Sequence, residues 1–253
     1  EAAKVAKESK EIITLIRDYN LSREMLPTQF LNDPAVWEAL LEKMPLTAMI
    51  RNLGKMSNVG LLKPMSKAAG VIVSRLTNQE YLQRSRVHPL VLLVALKVYQ
   101  QGKGDKGSLK WEPVSQVVDA LDKAFYLSFG NVEPANKRTL LALDVSGSMG
   151  SGEMAGMTGI TPRVGSAAMA LLTAATESQH AFMAFSTGFV PLNISPRKRL
   201  DDVIRVISGL PFDGTDCALP MLYALKNKLE IDTFIIYTDN ETNSGRHPVN
   251  ALR

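Results

Sequence analysis

The chain has 253 residues, 45% of them apolar and 21% charged, with 17 Gly, 13 Pro and a net charge of +4. Those proportions exclude a collagenous or wholly disordered protein and supply core for one or two domains. A single cysteine, Cys217, excludes a disulfide framework and points to a reducing, cytoplasmic setting, and no window approaches the roughly 18 apolar residues of a membrane span.

The opening, Glu1-Ala-Ala-Lys4, has neither an apolar signal core nor an initiator Met, which reads as the interior of a longer parent. Up to about Asn131 the pattern is helix after helix. Val5, Ile12, Ile13, Leu15 and Ile16 share helical spacing and predict an amphipathic helix running to about Tyr19. Asn32-Asp33-Pro34 reads as an N-cap and a first-turn proline opening a helix over 35–44. Helices follow over 46–56, 63–76, 79–84, 89–101 and 113–129. Their lengths and short connections predict a stacked array of the HEAT type, although no strict internal period is visible. The loop 102–107, Gly-Lys-Gly-Asp-Lys-Gly, is basic and turn-forming.

From Thr139 the pattern changes. Thr139-Leu-Leu-Ala-Leu-Asp144 is a short apolar run ending in an acid, a buried parallel strand. Further strands are predicted over 181–185 and 233–238, and helices over 164–177, 200–208 and 218–228. This alternation predicts a doubly wound α/β domain over 138–253 after a helical part over 1–131, with ligands at the C-terminal ends of the strands.

Charge is unevenly placed. Residues 43–110 hold 12 Lys and Arg against two acids, Glu80 and Asp105, a candidate polyanion footprint or else a set of solvated helix faces. Arg51 and Lys55 stand four apart on one predicted helix, and Lys63 and Lys67 repeat the spacing on the next. Arg84, Arg86 and His88 crowd the turn before a helix N-terminus, and Lys103 and Lys110 flank the basic loop. These nine residues are the candidate nucleic-acid contacts. His88 also reads as the cap of the helix opened by Pro89, and Trp111 reads as core before it reads as a stacking platform.

Asp144, Ser146 and Ser148 form an Asp-x-Ser-x-Ser motif in which alternation turns one carboxylate and two hydroxyls the same way. An oxygen-only set suits a hard divalent cation such as Mg²⁺. Thr215, in Gly214-Thr-Asp216, and Asp239, closing the last apolar run, come from loops at the same sheet edge. No His lies in the motif to activate Ser146 or Ser148, and neither a P-loop nor a Cys/His zinc spacing occurs, so no catalytic site is read. His180 and His247 read as structural, and Cys217 as a small helix-start residue.

This half resembles a von Willebrand factor A domain with a metal-ion-dependent adhesion site, whose five ligand positions match Asp144, Ser146, Ser148, Thr215 and Asp239. More specifically, the strings over 44–56 (MPLTAMIRNLGKM), 86–89 (RVHP), 109–113 (LKWEP), 214–220 (GTDCALP) and 238–242 (TDNET) are similar to the Ro autoantigen family. In that family a helical TROVE ring is closed by an A domain. The resemblance covers nearly the whole chain but lacks the start of the ring and the last strands and helix of the A domain, so the chain reads as truncated at both ends. It implies binding of small noncoding Y RNAs and of the 3′ ends of misfolded noncoding RNAs, in RNA quality control and stress survival. It further implies Mg²⁺, a protein partner donating Asp or Glu to the metal, and an exoribonuclease partner if the protein is bacterial, with no DNA and no membrane. The alternative is a metal-dependent adhesion or assembly module that binds no RNA.

Overall fold

The structure is a computed structural model that describes residues 3, 6–104, 108–154, 156–210, 214–239 and 242–252. Val5, Asp105, Lys106, Asn240 and Glu241 lie outside the described residues. The chain divides into two compact units, Glu1–Asn131 and Val132–Arg253.

In the first unit α1 (Ser9–Tyr19) buries Ile12 and Ile16 and packs on α2 (Pro34–Lys43). Asn20 ends α1 in the left-handed region, φ 52°, a conformation Asn tolerates better than most residues. The predicted opening of α2 is present: Asp33 accepts the Ala35 N–H at 2.8 Å and Pro34 sits in the first turn. Helix α3 (Leu46–Asn58) buries Leu46, Met49, Ile50, Leu53 and Met56, a single stripe at spacings of three and four. It is followed by α4 (Lys67–Leu76), α5 (Gln79–Ser85), α6 (Pro89–Gln100) and α7 (Ser115–Leu127). Caps are local. Ser66 accepts from the Ala69 N–H, Asn78 from Tyr81 and His88 from Leu90. Short 3₁₀ turns lie at Arg23–Met25 and Thr28–Asn32, and a third at Ser128–Asn131 takes over where the helix predicted to run to Phe129 ends at Leu127.

One prediction here fails. The helix expected from Lys63 starts at Lys67, because Met65 takes φ 62°, which no right-handed helix accommodates. Lys63 and Lys67 therefore do not share a helix face.

The second unit holds a four-stranded sheet in the order β3-β2-β1-β4. Strands β1 (Thr139–Asp144), β2 (His180–Phe185) and β4 (Thr233–Tyr237) run parallel, with Asp144 opposite Phe185 and Leu143 opposite Tyr237. β3 (Phe189–Leu192), which the sequence reading missed, runs antiparallel to β2. The sheet is thus mixed and not wholly parallel. Only Ser186, Thr187 and Gly188 separate β2 from β3, far fewer than the dozen or so residues a parallel crossover needs. Helix α8 (Pro162–Thr176) packs on β1 and β2, α9 (Leu200–Ser208) on α8, and α10 (Leu219–Lys226) on β2. A last short helix, α11 (Pro248–Leu252), contacts α10. β1 is buried along its whole length, whereas β4 is half-buried and pairs with β1 alone among the described residues. The parallel register brings Asp144 level with Phe185, at the C-terminal edge where β4 has just ended at Tyr237.

Candidate functional site

All five predicted oxygen ligands meet at that edge. Asp144 is fully buried at the end of β1; its Oδ1 accepts the Ser146 N–H at 2.8 Å, an Asx-type turn that aims the following loop. Its Oδ2 accepts from Thr238 Oγ1 at 2.8 Å and from Thr215 Oγ1 at 3.4 Å. Ser146 Oγ lies 3.2 Å from Ser148 Oγ, which donates to Asp239 Oδ1 at 3.1 Å. Asp144, Ser146 and Thr215 are buried, while Ser148 and Asp239 are exposed, so the cluster opens to solvent on one side.

Three supporting contacts have no signal in the Asp-x-Ser-x-Ser pattern. Arg163, in the first turn of α8, donates to the Ser146 carbonyl at 3.0 Å and holds the loop from beneath. Asn243 Oδ1 accepts the Thr215 N–H at 2.7 Å, and Thr242 Oγ1 donates to the Thr215 carbonyl at 3.2 Å. Thr238, one residue before a predicted ligand, is the closer of the two hydroxyls on Asp144; strict alternation would face it away from Asp239, but β4 ends at Tyr237 and both residues reach the cluster. Gly245, at φ 70°, passes so near Asp216 that a Cβ would strike its carboxylate. Burial, then the charges of Asp144 and Asp216, push the Cys217 thiol upward, so it stays protonated and unreactive near neutral pH.

The donor set fits a hard cation. Among the described residues no Lys or Arg pairs with the buried Asp144 carboxylate, and its hydrogen-bond partners are neutral hydroxyl and amide groups. No group of three or more His, Cys, Asp and Glu gathers among the described residues, so a cation here would rest on one buried carboxylate, hydroxyls and Asp239.

The basic candidates lie on several elements of the first unit. Arg51 is exposed on α3, and Lys55 on the same helix donates to Asn32 Oδ1 at 2.8 Å. Lys63 is exposed in the α3–α4 turn and Lys67 begins α4. Arg84 faces Glu80 at 4.0 Å, and Arg86 ends α5 at φ 50°. His88 is exposed and caps α6 through Nδ1, the structural role its place before Pro89 allowed. Lys103 and Lys110 pair across an antiparallel bridge that is fastened to α3: Asn58 donates to the Lys110 carbonyl at 2.8 Å, and the Trp111 ring lies over Gly54. Trp111 stacks on Tyr99 with centroids 6.1 Å apart, so it serves packing. Arg75, counted in the basic stretch, is committed elsewhere; it donates to the carbonyls of Leu41, Glu42 and Met44 and closes the end of α2.

A buried central strand with this oxygen cluster at its C-terminal end, in a mixed sheet flanked by helices, places the second unit in the class of von Willebrand factor A domains. Residues 138–253 match the Ro60 vWA domain, and residues 18–98 match the TROVE domain. The second unit thus matches the family of Ro60 vWA domains, and most of the first the family of TROVE domains. It is 46% identical over 240 residues to RNA-binding protein RO60 of Deinococcus radiodurans, covering 94% of this chain and 45% of that protein. It is 45% identical over 250 residues to RNA-binding protein RO60 of Caenorhabditis elegans, covering 98% of this chain and 38% of that protein. The crystal structure of the Deinococcus radiodurans RO (RSR) protein superposes with a TM-score of 0.92 at 44% identity, covering 99% of this chain and 51% of that one. The chain therefore spans between 38% and 51% of the length of these relatives.

Proposed function

We propose that this chain is the RNA-binding and metal-binding portion of a Ro-type protein, acting as a binding scaffold and not as an enzyme. The observation that carries the reading is its 45–46% identity, over nearly its whole length, to two proteins named for RNA binding. The excess of cations over residues 43–110 supports it, because phosphate neutralisation provides affinity without reading sequence. Its ligands are small noncoding Y RNAs and the single-stranded 3′ ends of misfolded noncoding RNAs, and its role is noncoding-RNA quality control and stress survival in the cytoplasm. No helix among the described residues is long and apolar enough to cross a membrane. In a bacterium the RNA would be passed to an exoribonuclease partner.

Mg²⁺ would be held by Asp144, Ser146, Ser148 and Thr215, with Asp239 reached through Ser148 or water. Once bound it supplies a positive centre for a partner's Asp or Glu. Arg163 and Asn243 keep the two ligand loops in place, and Thr238 holds the Asp144 carboxylate.

The experiment is filter binding of a structured RNA with a single-stranded 3′ tail at several salt concentrations, with and without EDTA. Affinity falling steeply with salt and changing little with EDTA is the expected result. Arg51→Glu with Lys55→Glu lowers affinity for unrelated RNA sequences alike. A flat salt response, or binding that collapses with EDTA while the fold survives, moves the RNA site away from the basic helices and overturns the reading.

A further inference from the structure

The first unit contains a cavity of about 170 Å³ where the end of α1 and the following turn meet the corner between α2 and α3. Its wall is built by the chain reversal at Asn20, whose left-handed backbone carries Leu21 to Glu24 across the mouth. Leu40, Met44 and Ala48 supply apolar lining, the first two buried and Ala48 half-buried. Two carboxamides, Asn20 and Asn52, also line it; Asn52 Nδ2 donates one hydrogen bond to the Ala48 carbonyl, leaving its Oδ1 free among the described residues. Arg17, Arg23 and Lys43 stand at the rim. Arg17 engages Glu42 through Nε and one terminal nitrogen, which leaves the other terminal N–H group for a ligand.

Size decides the class of occupant. Pockets for intact cofactors and drug-sized ligands run to roughly 300–1,000 Å³, so this one takes a single ring system. An apolar slot with amide donors and acceptors in its wall and cations outside it matches a nucleobase with its phosphates left at the rim. The two exposed acids beside it, Glu24 and Glu42, are each matched by an arginine, at 3.7 Å and 2.7 Å respectively, so Lys43 leaves the rim with a net positive charge.

We infer that this cavity accepts one unstacked base of a single-stranded RNA segment, with Arg17, Arg23 and Lys43 on the flanking phosphates. The inference rests on the RNA-binding reading and adds a base-accepting subsite to it. A duplex, whose bases are stacked and paired, cannot offer this ligand.

The test uses a single-stranded RNA decamer carrying one 2-aminopurine, with the same strand annealed to its complement as control. With the 253-residue chain, the single strand shows a fluorescence rise on binding and the duplex shows none. Ala48→Leu fills the slot without changing charge; it abolishes the rise and weakens single-strand binding about tenfold, the loss of one enclosed base. Asn20→Gly removes a carboxamide while favouring the left-handed turn, so its fold is secure; it weakens binding about fivefold, one hydrogen bond's worth. If both variants bind the decamer with unchanged affinity and fluorescence, the subsite is refuted while RNA binding itself stands. If the unaltered chain binds no RNA at low salt, the RNA reading falls and takes this inference with it. If a glutamate-rich peptide binds in a manner sensitive to Ala48→Leu and the decamer does not, the cavity is a protein-docking site and the inference is wrong.

Discussion

Arg138 and Asp232 tie the entrance of β1 to the entrance of β4. The Arg138 N–H and Nε both donate to Asp232 Oδ2, at 2.9 and 3.0 Å, and a terminal guanidinium nitrogen reaches Oδ1 at 2.7 Å. The Arg138 carbonyl accepts in return from the Asp232 and Thr233 N–H groups, and Glu230 makes a further contact with the guanidinium. The bidentate fork sits at the end of the sheet opposite the oxygen cluster, so its work is to register β4 against β1.

That pairing has a signed pH dependence. Hydrogen bonds from Arg138 hold the Asp232 carboxyl well below the usual carboxylate range. A carboxylate depressed in the folded state contributes stability that is complete above its unfolded value, about 3.9, and is lost as pH falls toward its folded value. Thermal melting of the A domain should therefore drop on acidification below about pH 4. Arg138→Met should lower the melting temperature at neutral pH and flatten that acid limb. An acid limb identical in the two proteins would assign the effect to other carboxylates.

Gly54 is required by packing and not by backbone conformation. A Cβ there would sit 2.7–2.8 Å from three carbons of the Trp111 ring. Gly54→Ala gains up to about 1 kcal/mol of helix propensity, but overpacking typically costs about 1–3 kcal/mol, so net destabilisation is expected. The urea midpoint should fall and Trp111 emission should shift. Gly54→Ala combined with Trp111→Leu should recover part of the loss; no recovery would mean that the clash lies elsewhere.

The cations of the first unit should separate into structural and binding sets. Arg75→Ala leaves three carbonyls at the end of α2 without their donor and should cost on the order of 1.5–3 kcal/mol. It should leave RNA affinity of the folded protein unchanged. Arg51→Glu with Lys55→Glu should do the reverse, sparing the melting temperature and weakening RNA. Paired urea denaturation and filter binding read both, and a loss of RNA affinity in folded Arg75→Ala would place Arg75 on the RNA path.

For the metal, Asp144→Ala should abolish Mg²⁺ binding while the helical unit stays folded, because Asp144 is the one buried carboxylate on the cluster's hydroxyls. Asp239→Ala should weaken binding less, since Asp239 is exposed and reaches the cluster through Ser148. Isothermal titration with Mg²⁺ and Mn²⁺ compares them. Equal losses in the two variants would contradict the ranking, and unaltered binding in Asp144→Ala would remove that residue from the site.

Features governed by neighbours along the chain were legible in the amino-acid sequence alone. Asp33-Pro34 and His88-Pro89 cap and open helices because the contacts span two residues. An apolar run ending in Asp144, followed by alternating hydroxyls, marks a strand edge lined with oxygen because side-chain direction in an extended chain has a fixed period. The alternation of strands and helices, which sets loops at one sheet edge, extended this reading to Thr215 and Asp239, 71 and 95 positions beyond Asp144, and the family resemblance matched the same five residues.

What the sequence could not decide depends on partners distant along the chain. β3 escaped notice because a four-residue strand containing Pro191 has a weak period, and it exists through its pairing with β2. Met65 reads as an ordinary residue of the next helix until the turn forces it left-handed. Arg75 looks like one more surface cation, and only the fold brings the end of α2, more than 30 residues earlier, under its guanidinium. Thr238, Arg163 and Asn243 joined the oxygen cluster for the same reason: each acts on an atom set in place by strand register, helix packing or loop closure. Hydrogen bonds between residues far apart in sequence form only when the hydrophobic core has fixed their geometry, so composition and spacing carry no trace of them.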